Sequence, residues 1–138
     1  MEKSIREAFG LKPVDPVRVP SLSLAYLGDA VFALFIRTLL LERRNTSNGE
    51  LHSRTVPYVS AVGQARMAKG LQELLTEEEA AVFRRGRNAK PEHGAKNATT
   101  QEYHLATGLE ALIGYLYLKD RQDRIIELMK AGMPYAEP

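Results

Sequence analysis

One apolar stretch constrains the fold of this chain more than any other feature. Residues 21–37 read Ser-Leu-Ser-Leu-Ala-Tyr-Leu-Gly-Asp-Ala-Val-Phe-Ala-Leu-Phe-Ile-Arg. Within the stretch, residues 22–36 are all apolar or small except Ser23 and Asp29, and no proline interrupts them. A helix that is apolar on nearly every side is a buried helix. We therefore expect a core helix that carries Asp29 at a position where a charge is costly.

No basic residue lies next to Asp29 on the surface of its own helix. The residues beside it, Gly28 and Ala30, are small. The residues three and four positions away, which are its neighbours on a helix surface, are Tyr26, Phe32, Ala25 and Ala33. Whatever compensates this carboxylate must therefore come from another part of the fold, as a base, a hydrogen-bond donor or a metal ion.

A second stretch, residues 105–118, has the same character. It reads Leu-Ala-Thr-Gly-Leu-Glu-Ala-Leu-Ile-Gly-Tyr-Leu-Tyr-Leu and holds one acid, Glu110, between Gly108 and Ala111. If the two helices pack together, Asp29 and Glu110 can converge in space left by small side chains. Two converging carboxylates form an oxygen-ligand site for Mg²⁺ or Mn²⁺. In the alternative interpretation, each acid is structural and is satisfied by backbone groups or by a distant arginine.

The remainder of the chain predicts an all-α fold. No β-strand alternation of useful length occurs, and capping-box spacing precedes three helices, at Ser47, Thr76 and Thr99. A proline-containing segment over 11–20 reads as an extended connector. Gly132 and Pro134 are expected to end the last helix, and Pro57 to break or restart the third. We expect helices over about 2–9, 21–42, 48–56, 58–75, 77–87, 100–119 and 121–130.

The length and composition bound the classes of protein that are possible. With 138 residues, we expect one domain over 1–138, in which residues 1–20 form an N-terminal helix and connector. The absence of cysteine excludes disulfides and thiolate metal sites. No signal peptide is visible, and the apolar run at 22–36 is short for a membrane span and carries an acid at its centre. We therefore expect a cytoplasmic protein without a membrane partner.

The net charge of +2 is small, but the basic residues are clustered. Five cations fall within 13 residues, opposed only by Glu92: Arg84, Arg85, Arg87, Lys90 and Lys96. Basic residues suit a helix C-terminus, which accounts for the three arginines without any ligand. Because the cations continue into a polar loop that also carries His93, we interpret the segment as a surface for phosphate oxygens.

Two motifs resemble those of a known family. Residues 24–31, Leu-Ala-Tyr-Leu-Gly-Asp-Ala-Val, resemble the signature helix of the ribonuclease III catalytic domain, whose usual form is E-R-L-E-F-L-G-D-S/A-V. Residues 108–118 resemble the second motif of that family, D-x-x-E-A-L-I-G-A-x-Y-L. Their order, spacing and helical context agree, and the similarity extends over about residues 20–119. The pairing of the two motifs is highly specific.

The chain departs from the full-length family in two respects. Leu22 and Ala25 occupy the positions of two signature glutamates, and Thr107 occupies that of an aspartate. The chain also leaves no room for a C-terminal double-stranded-RNA-binding domain. This short form resembles the Mini-ribonuclease III subfamily, stand-alone catalytic domains that mature 23S ribosomal RNA in bacteria. With fewer acids we expect more water in the metal shell, weaker metal binding and slower turnover.

The resemblance implies an all-α homodimer with the ribonuclease III endonuclease fold. It implies a Mg²⁺-dependent endoribonuclease, with Mn²⁺ as a substitute, that cleaves double-stranded RNA such as precursor 23S ribosomal RNA. Asp29 and Glu110 would be the catalytic and metal-binding residues, and the products would carry 5′-phosphate and 3′-hydroxyl ends. The RNA would be bound by Arg84, Arg85, Arg87, Lys90 and Lys96. The rival hypotheses are a non-catalytic RNA-binding module of the same fold and a purely structural helical dimer.

Overall fold

A computed structural model of the chain describes residues 1–89 and 99–137, and all regular structure within them is helical, which confirms the predicted class. Two short 3-10 helices cover Pro16–Arg18 and Gln72–Leu74. The α-helices are α1 (Glu2–Phe9), α2 (Ser21–Arg43), α3 (Asn48–Val59), α4 (Ala61–Leu71), α5 (Glu77–Asn88), α6 (Thr100–Leu118) and α7 (Gln122–Ala136).

Helix α6 is the centre of the fold. It packs most extensively against α2 and also contacts α4, α5 and α7. Its residues 105–109 and 111–117 are buried. The Glu110 side chain interrupts this run and is only partly buried. The most apolar helix thus lies inside the molecule and presents its single central acid at the edge of the core.

Two glycines let α2 and α6 cross at backbone contact. A Cβ atom on Gly28 would overlap the carbonyl oxygen of Glu110, and one on Gly114 would overlap the carbonyl oxygen of Leu24. Each glycine therefore lies against the main chain of the facing helix, with no room for any side chain. This crossing fixes the position of Asp29, the residue after Gly28, relative to Glu110.

Local capping sets several helix ends where the sequence predicts them. Thr76 with Glu79 forms a capping box at the start of α5, and Thr99 with Glu102 forms another at the start of α6. At α3 only half of the predicted box exists, since the Glu50 amide donates to the Ser47 hydroxyl. The Glu50 carboxylate accepts hydrogen bonds from neighbouring side chains instead, those of Thr46 and Arg54.

The prediction of a break at Pro57 is wrong. Helix α3 continues through Pro57 to Val59, and α4 begins at Ala61. Ser60 decides the boundary, because its hydroxyl accepts the amide hydrogen of Gly63 at 3.1 Å and caps the new helix. A proline near a helix end removes only one backbone hydrogen bond. Its influence on where the helix ends is therefore weaker than that of a capping side chain.

The predicted end of the last helix near residue 130 is also wrong. Helix α7 runs through Pro134 to Ala136, and its final turns bury Met133 and Ala136. Gly132 lies against Met67 and Leu71 of α4, so its missing side chain brings the two helices close together. Packing against α4 therefore offsets the hydrogen bond that Pro134 cannot make.

The prediction that α2 is buried on all sides is only partly correct. Its buried residues form one face, which packs on α6, whereas Leu22, Tyr26, Leu34 and Leu41 on the other face are exposed. By length and composition α2 is also the one helix in residues 1–89 and 99–137 that could cross a membrane, although 39% of its most apolar window is buried in the protein. Core helices of globular proteins meet the same criterion.

A buried ion pair between α5 and α7 provides the first testable prediction. Glu79 accepts hydrogen bonds from Arg124 at 2.8 and 2.9 Å. Burial pushes the pKa of Glu79 up, but the bonds from Arg124 and the Thr76 amide outweigh it and hold the pKa below its usual value. The pair therefore stabilises the fold above the unfolded-state pKa, and this contribution is lost as the pH falls through the lower folded-state value.

Replacing Arg124 by Met should lower the free energy of unfolding at pH 7 by about 2–3 kcal/mol, because it leaves a buried carboxylate without its partner. The difference from wild type should be smaller at pH 3 than at pH 7, because the Glu79 carboxylate loses its charge as the pH falls through its lowered folded-state pKa. Urea unfolding at the two pH values measures this. An equal difference at both would show that packing of the Arg124 side chain, and not its charge, is what matters.

Candidate active site

The crossing of α2 and α6 brings together the two acids that the sequence analysis singled out. Asp29 follows Gly28, whose backbone touches the Glu110 carbonyl. The Asp29 carboxyl group lies within hydrogen-bonding reach of the Glu110 carboxyl group. Two residues 81 positions apart in the chain thus share one site.

The electrostatics of the pair follow from its position. Burial raises the pKa of Glu110 most, and the hydrogen bond and negative charge of Asp29 raise it further, to about 9. Glu110 therefore keeps its proton at neutral pH in the free protein, which relieves the repulsion of two carboxylates at contact. A divalent cation bound between the two carboxylates would relieve their repulsion more completely, and it would displace the proton of Glu110.

Asp29 is more accessible than the sequence predicts. Its side chain is exposed, whereas that of Glu110 is partly buried. The desolvation free energy expected for a buried Asp29 carboxylate is therefore absent in the single chain. The arrangement is a carboxylate at the mouth of the site and another behind it, which allows water, a cation or a substrate to enter from one side.

The donor set fits a hard divalent cation. Mg²⁺ uses one or two carboxylates and fills its remaining positions with water and substrate phosphate. No third acid or histidine joins the pair to form a cluster in the described part of the chain. Ala25 has no donor, and Thr107 is buried and donates its hydroxyl hydrogen to the Tyr103 carbonyl at 2.9 Å. Neither residue replaces the acid that the family has there.

Gln64 on α4 is a third polar residue at the site, and the sequence analysis missed it. Its side chain is 2% exposed and lies beside Glu110, whose pKa it lowers while Asp29 raises it. Gln64 stands between Gly63 and Ala65 much as Asp29 stands between Gly28 and Ala30, but its helix is of mixed polarity, so the glutamine does not stand out in the sequence.

Helix α5 carries basic residues and packs against α6, the helix that holds Glu110. It approaches α6 closely where Gly86 meets Gly108, since a Cβ on Gly86 would come within 3.1 Å of the Gly108 Cα. An open cleft of about 570 Å³ lies between the start of α2 and the end of α5. Its lining residues are Pro20, Ser21, Leu22, Arg84, Arg85, Asn88 and Ala89.

The predicted RNA-binding residues divide into two groups. Arg84 and Arg85 are exposed in the cleft, and Arg87 is partly buried and donates to the Asn88 side chain at 3.2 Å. None of these arginines pairs with a carboxylate in residues 1–89 and 99–137. Lys90 and Lys96 lie outside the described residues.

The helical fold and the paired acids indicate the class to which this protein belongs. It is a helical protein in which two acids distant in the chain meet where α2 and α6 cross, and in which the start of α2 lines a cleft with two arginines of α5, an arrangement suited to cleaving a phosphodiester. Comparison with known proteins identifies the family. A family model described as the Ribonuclease III domain matches residues 22–121. The chain belongs to the ribonuclease III family, and is therefore an endoribonuclease acting on RNA.

Individual relatives agree with this assignment. Mini-ribonuclease 3 of Clostridium tetani is 45% identical over 121 residues, which cover 87% of this chain and 77% of that protein. Mini-ribonuclease 3 of Symbiobacterium thermophilum is 42% identical over 127 residues, covering 92% and 98%. A crystal structure of a Fusobacterium nucleatum protein, 30% identical, has a TM-score of 0.78 and covers 85% of this chain and 94% of its own. The resemblance to the Mini-ribonuclease III subfamily is thus confirmed.

Proposed function

We propose that this protein is a Mg²⁺-dependent endoribonuclease that cleaves double-stranded RNA to leave 5′-phosphate and 3′-hydroxyl ends. The observation that carries the proposal is the contact between Asp29 and Glu110 at the α2–α6 crossing, in a chain of this family. We propose precursor 23S ribosomal RNA as the natural substrate and the cytoplasm as the location; both rest on the family resemblance and the sequence alone.

The residues of the site have separate tasks in this proposal. Asp29 and Glu110 would hold the cation, with water completing its shell. When bound, Mg²⁺ supplies Lewis-acid stabilisation of phosphate charge and acidifies water, so that no side-chain base is needed. Arg84 and Arg85 bind backbone phosphates in the cleft and orient the duplex. Leu22 lines that cleft seven residues before Asp29, a distance of about 10 Å along the helix axis.

We also propose that the active form is a homodimer, in which two sites cut the two strands of a duplex. The support is the exposed face of α2, on which Tyr26 is 84% exposed and Leu34 is 49% exposed. Several large apolar residues exposed on one side of a helix indicate an interaction surface. A second copy of the same helix would cover it in a symmetric contact.

Replacing Leu34 by Glu should convert the dimer to a monomer at micromolar concentration, because a symmetric interface would bury two unpaired charges. Ile126→Glu is the matched control, since Ile126 on α7 is 52% exposed. It should remain dimeric. Sedimentation velocity distinguishes the two, and a wild-type protein that sediments as a monomer would refute the dimer.

Replacing Arg84 and Arg85 together by Ala should weaken duplex binding and reduce the slope of log affinity against log salt by about 1 to 2, one unit for each lost phosphate contact. Lys3→Ala removes a cation that pairs with Asp120 instead, and should leave the slope unchanged. Binding is measured without divalent cations to prevent cleavage. An unchanged slope in the double variant would remove the cleft from the proposed interface. Lys90→Ala with Lys96→Ala tests the adjoining loop in the same way.

Incubation with duplex RNA, with and without Mg²⁺, tests the proposed function directly. Cleavage only with Mg²⁺ supports it. Binding without cleavage would favour a non-catalytic RNA-binding module, whose best support is the absence of family acids at Ala25 and Thr107. If the protein neither binds nor cleaves the duplex, the purely structural helical dimer is the remaining hypothesis. Mapping of the cleaved ends on precursor ribosomal RNA then tests the proposed substrate.

A further inference from the structure

The first 17 residues carry the densest group of exposed apolar side chains in the described part of the chain. Of the 14 large apolar residues that are exposed there, six lie in this segment, with Phe9 76% and Val17 62% exposed. Single exposed apolar residues are ordinary, but a group of them indicates an interaction surface. We call residues 1–17 the N-terminal arm. Its exposed apolar residues are Met1, Ile5, Phe9, Leu11, Val14 and Val17.

Helix α1 aligns the first three of these residues on one face. Met1, Ile5 and Phe9 follow one another at intervals of four, a spacing that brings side chains together along a helix. No other helix in residues 1–89 and 99–137 packs extensively against α1. The apolar face of α1 is therefore not covered by its own subunit.

Packing within one chain does not account for the stability of α1. The helix has eight residues, and isolated helices shorter than about 12–15 residues are marginal in water unless an apolar face is packed. Its first turn is attached to the subunit, since Glu2 is buried and Lys3 lies 3.0 Å from Asp120. An exposed ion pair of this kind contributes little. A partner that covers Ile5 and Phe9 would supply the missing stabilisation.

The size of the proposed dimer interface indicates that this partner is a second copy of the chain. A stable interface uses about 20–30 residues on each side. Helix α2 has 23 residues, and seven of them are buried in its own subunit. Part of its outer face must also stay open to RNA, because Asp29 belongs to the candidate active site and Leu22 lines the cleft. The outer face of α2 is therefore too small to form the interface by itself.

The N-terminal arm adjoins that outer face. Val17 precedes Leu22, the first exposed apolar residue of α2, by five positions, so at most about 18 Å separates their Cα atoms. The 3-10 helix Pro16–Arg18 contacts α6, the helix on which α2 packs. The end of the arm thus lies beside the α2–α6 pair, and an interface on α2 can extend directly onto the arm.

From the exposed face of α1 and its continuity with α2, we propose that the N-terminal arm docks on a second copy of this chain and extends the dimer interface of α2. The inference rests on the proposed homodimer and deepens it. In a two-fold symmetric dimer both arms are covered in the same way. The partner subunit then stabilises a helix whose apolar face its own subunit leaves exposed.

The test is the dimer dissociation constant of Phe9→Glu, measured by sedimentation equilibrium of the full chain without RNA. The substitution places a charge in the proposed contact, so the dissociation constant should rise at least about tenfold. Ser4→Glu is the matched control, because Ser4 is an exposed residue of α1 outside the apolar face. It should dimerise like wild type. An unchanged dissociation constant in a folded Phe9→Glu protein would overturn the inference.

Hydrogen exchange gives a second measurement that leaves the arm unchanged. The backbone amides of α1 should exchange at least about tenfold more slowly in the wild-type dimer than in the Leu34→Glu monomer, because the partner protects the helix. Equally fast exchange in a stable dimer would overturn the inference and would assign the arm to a different partner.

The outcomes also separate this inference from the proposed homodimer. If Leu34→Glu dissociates the dimer and Phe9→Glu does not, the docking of the arm is wrong and the dimer stands. A wild-type protein that is monomeric at micromolar concentration would refute both. Neither measurement uses RNA, so neither result depends on the proposed cleavage.

Discussion

Asp29→Asn is expected to lower the rate of duplex cleavage by about a thousandfold or more. A cation at a phosphoryl oxygen supplies several kcal/mol of transition-state stabilisation, and each 1.36 kcal/mol is worth a factor of ten. An amide keeps the shape of the side chain but not its charge, so the proposed metal site would lose one of its two anionic ligands. Single-turnover cleavage of a labelled duplex at saturating Mg²⁺ measures the effect.

The same variant should remain folded and should still bind RNA. Asp29 is exposed, so the substitution removes no core contact. It also removes a negative charge beside Glu110, which should raise the melting temperature of the metal-free protein, as is common when a strained functional site is neutralised. Asp123→Asn, at an exposed acid that pairs with Arg121, is the control and should cleave normally. Near-normal cleavage by the Asp29→Asn variant would contradict the proposed mechanism.

Gly28→Ala is expected to destabilise the fold by more than about 4 kcal/mol, a size reserved for substitutions that disrupt a core. The new Cβ would overlap the Glu110 carbonyl, a main-chain atom that cannot rotate away. Helices α2 and α6 would have to separate along their whole contact. Intrinsic propensity predicts the opposite sign, since Ala favours a helix over Gly by about 1 kcal/mol.

Gly49→Ala is the matched control, because Gly49 is also in a helix but a Cβ there would meet no atom within 4 Å. It should leave stability unchanged or raise it by up to about 1 kcal/mol. Urea unfolding followed by circular dichroism compares the two variants. If Gly28→Ala is as stable as Gly49→Ala, the backbone contact between α2 and α6 cannot be as close as described.

Helix ends could be predicted from the sequence where one local interaction decides them. The boxes at Thr76 and Thr99 set the starts of α5 and α6, and both are confirmed. Pro57 and Pro134 misled the prediction, because the energy that keeps a helix going past a proline comes from the packing of residues distant in the chain. Met133 gains its burial from such contacts, as part of the core that contains Met67.

The candidate active site likewise contains residues that the sequence indicated and one that it did not. The sequence indicated Asp29 and Glu110, since an isolated acid between small residues in an apolar helix is anomalous by itself. Gln64 lies in a helix of mixed polarity, so a glutamine there is unremarkable until the structure shows it buried beside Glu110. Burial of a polar group depends on which elements cover it, and periodicity along one helix does not contain that information.

Residue patterns along the chain were enough to predict a helical protein, the two helices that carry the acids, and the family that the motifs resemble. These properties depend on short-range spacing and on the cost of a charge in an apolar segment. The outward orientation of Asp29, the uncovered side of α2 and the burial of Gln64 could be seen only in the folded chain. These features depend on how α2, α4 and α6 pack, and Gly28 and Gly114 set the approach of α2 to α6 through contacts between residues far apart in the chain.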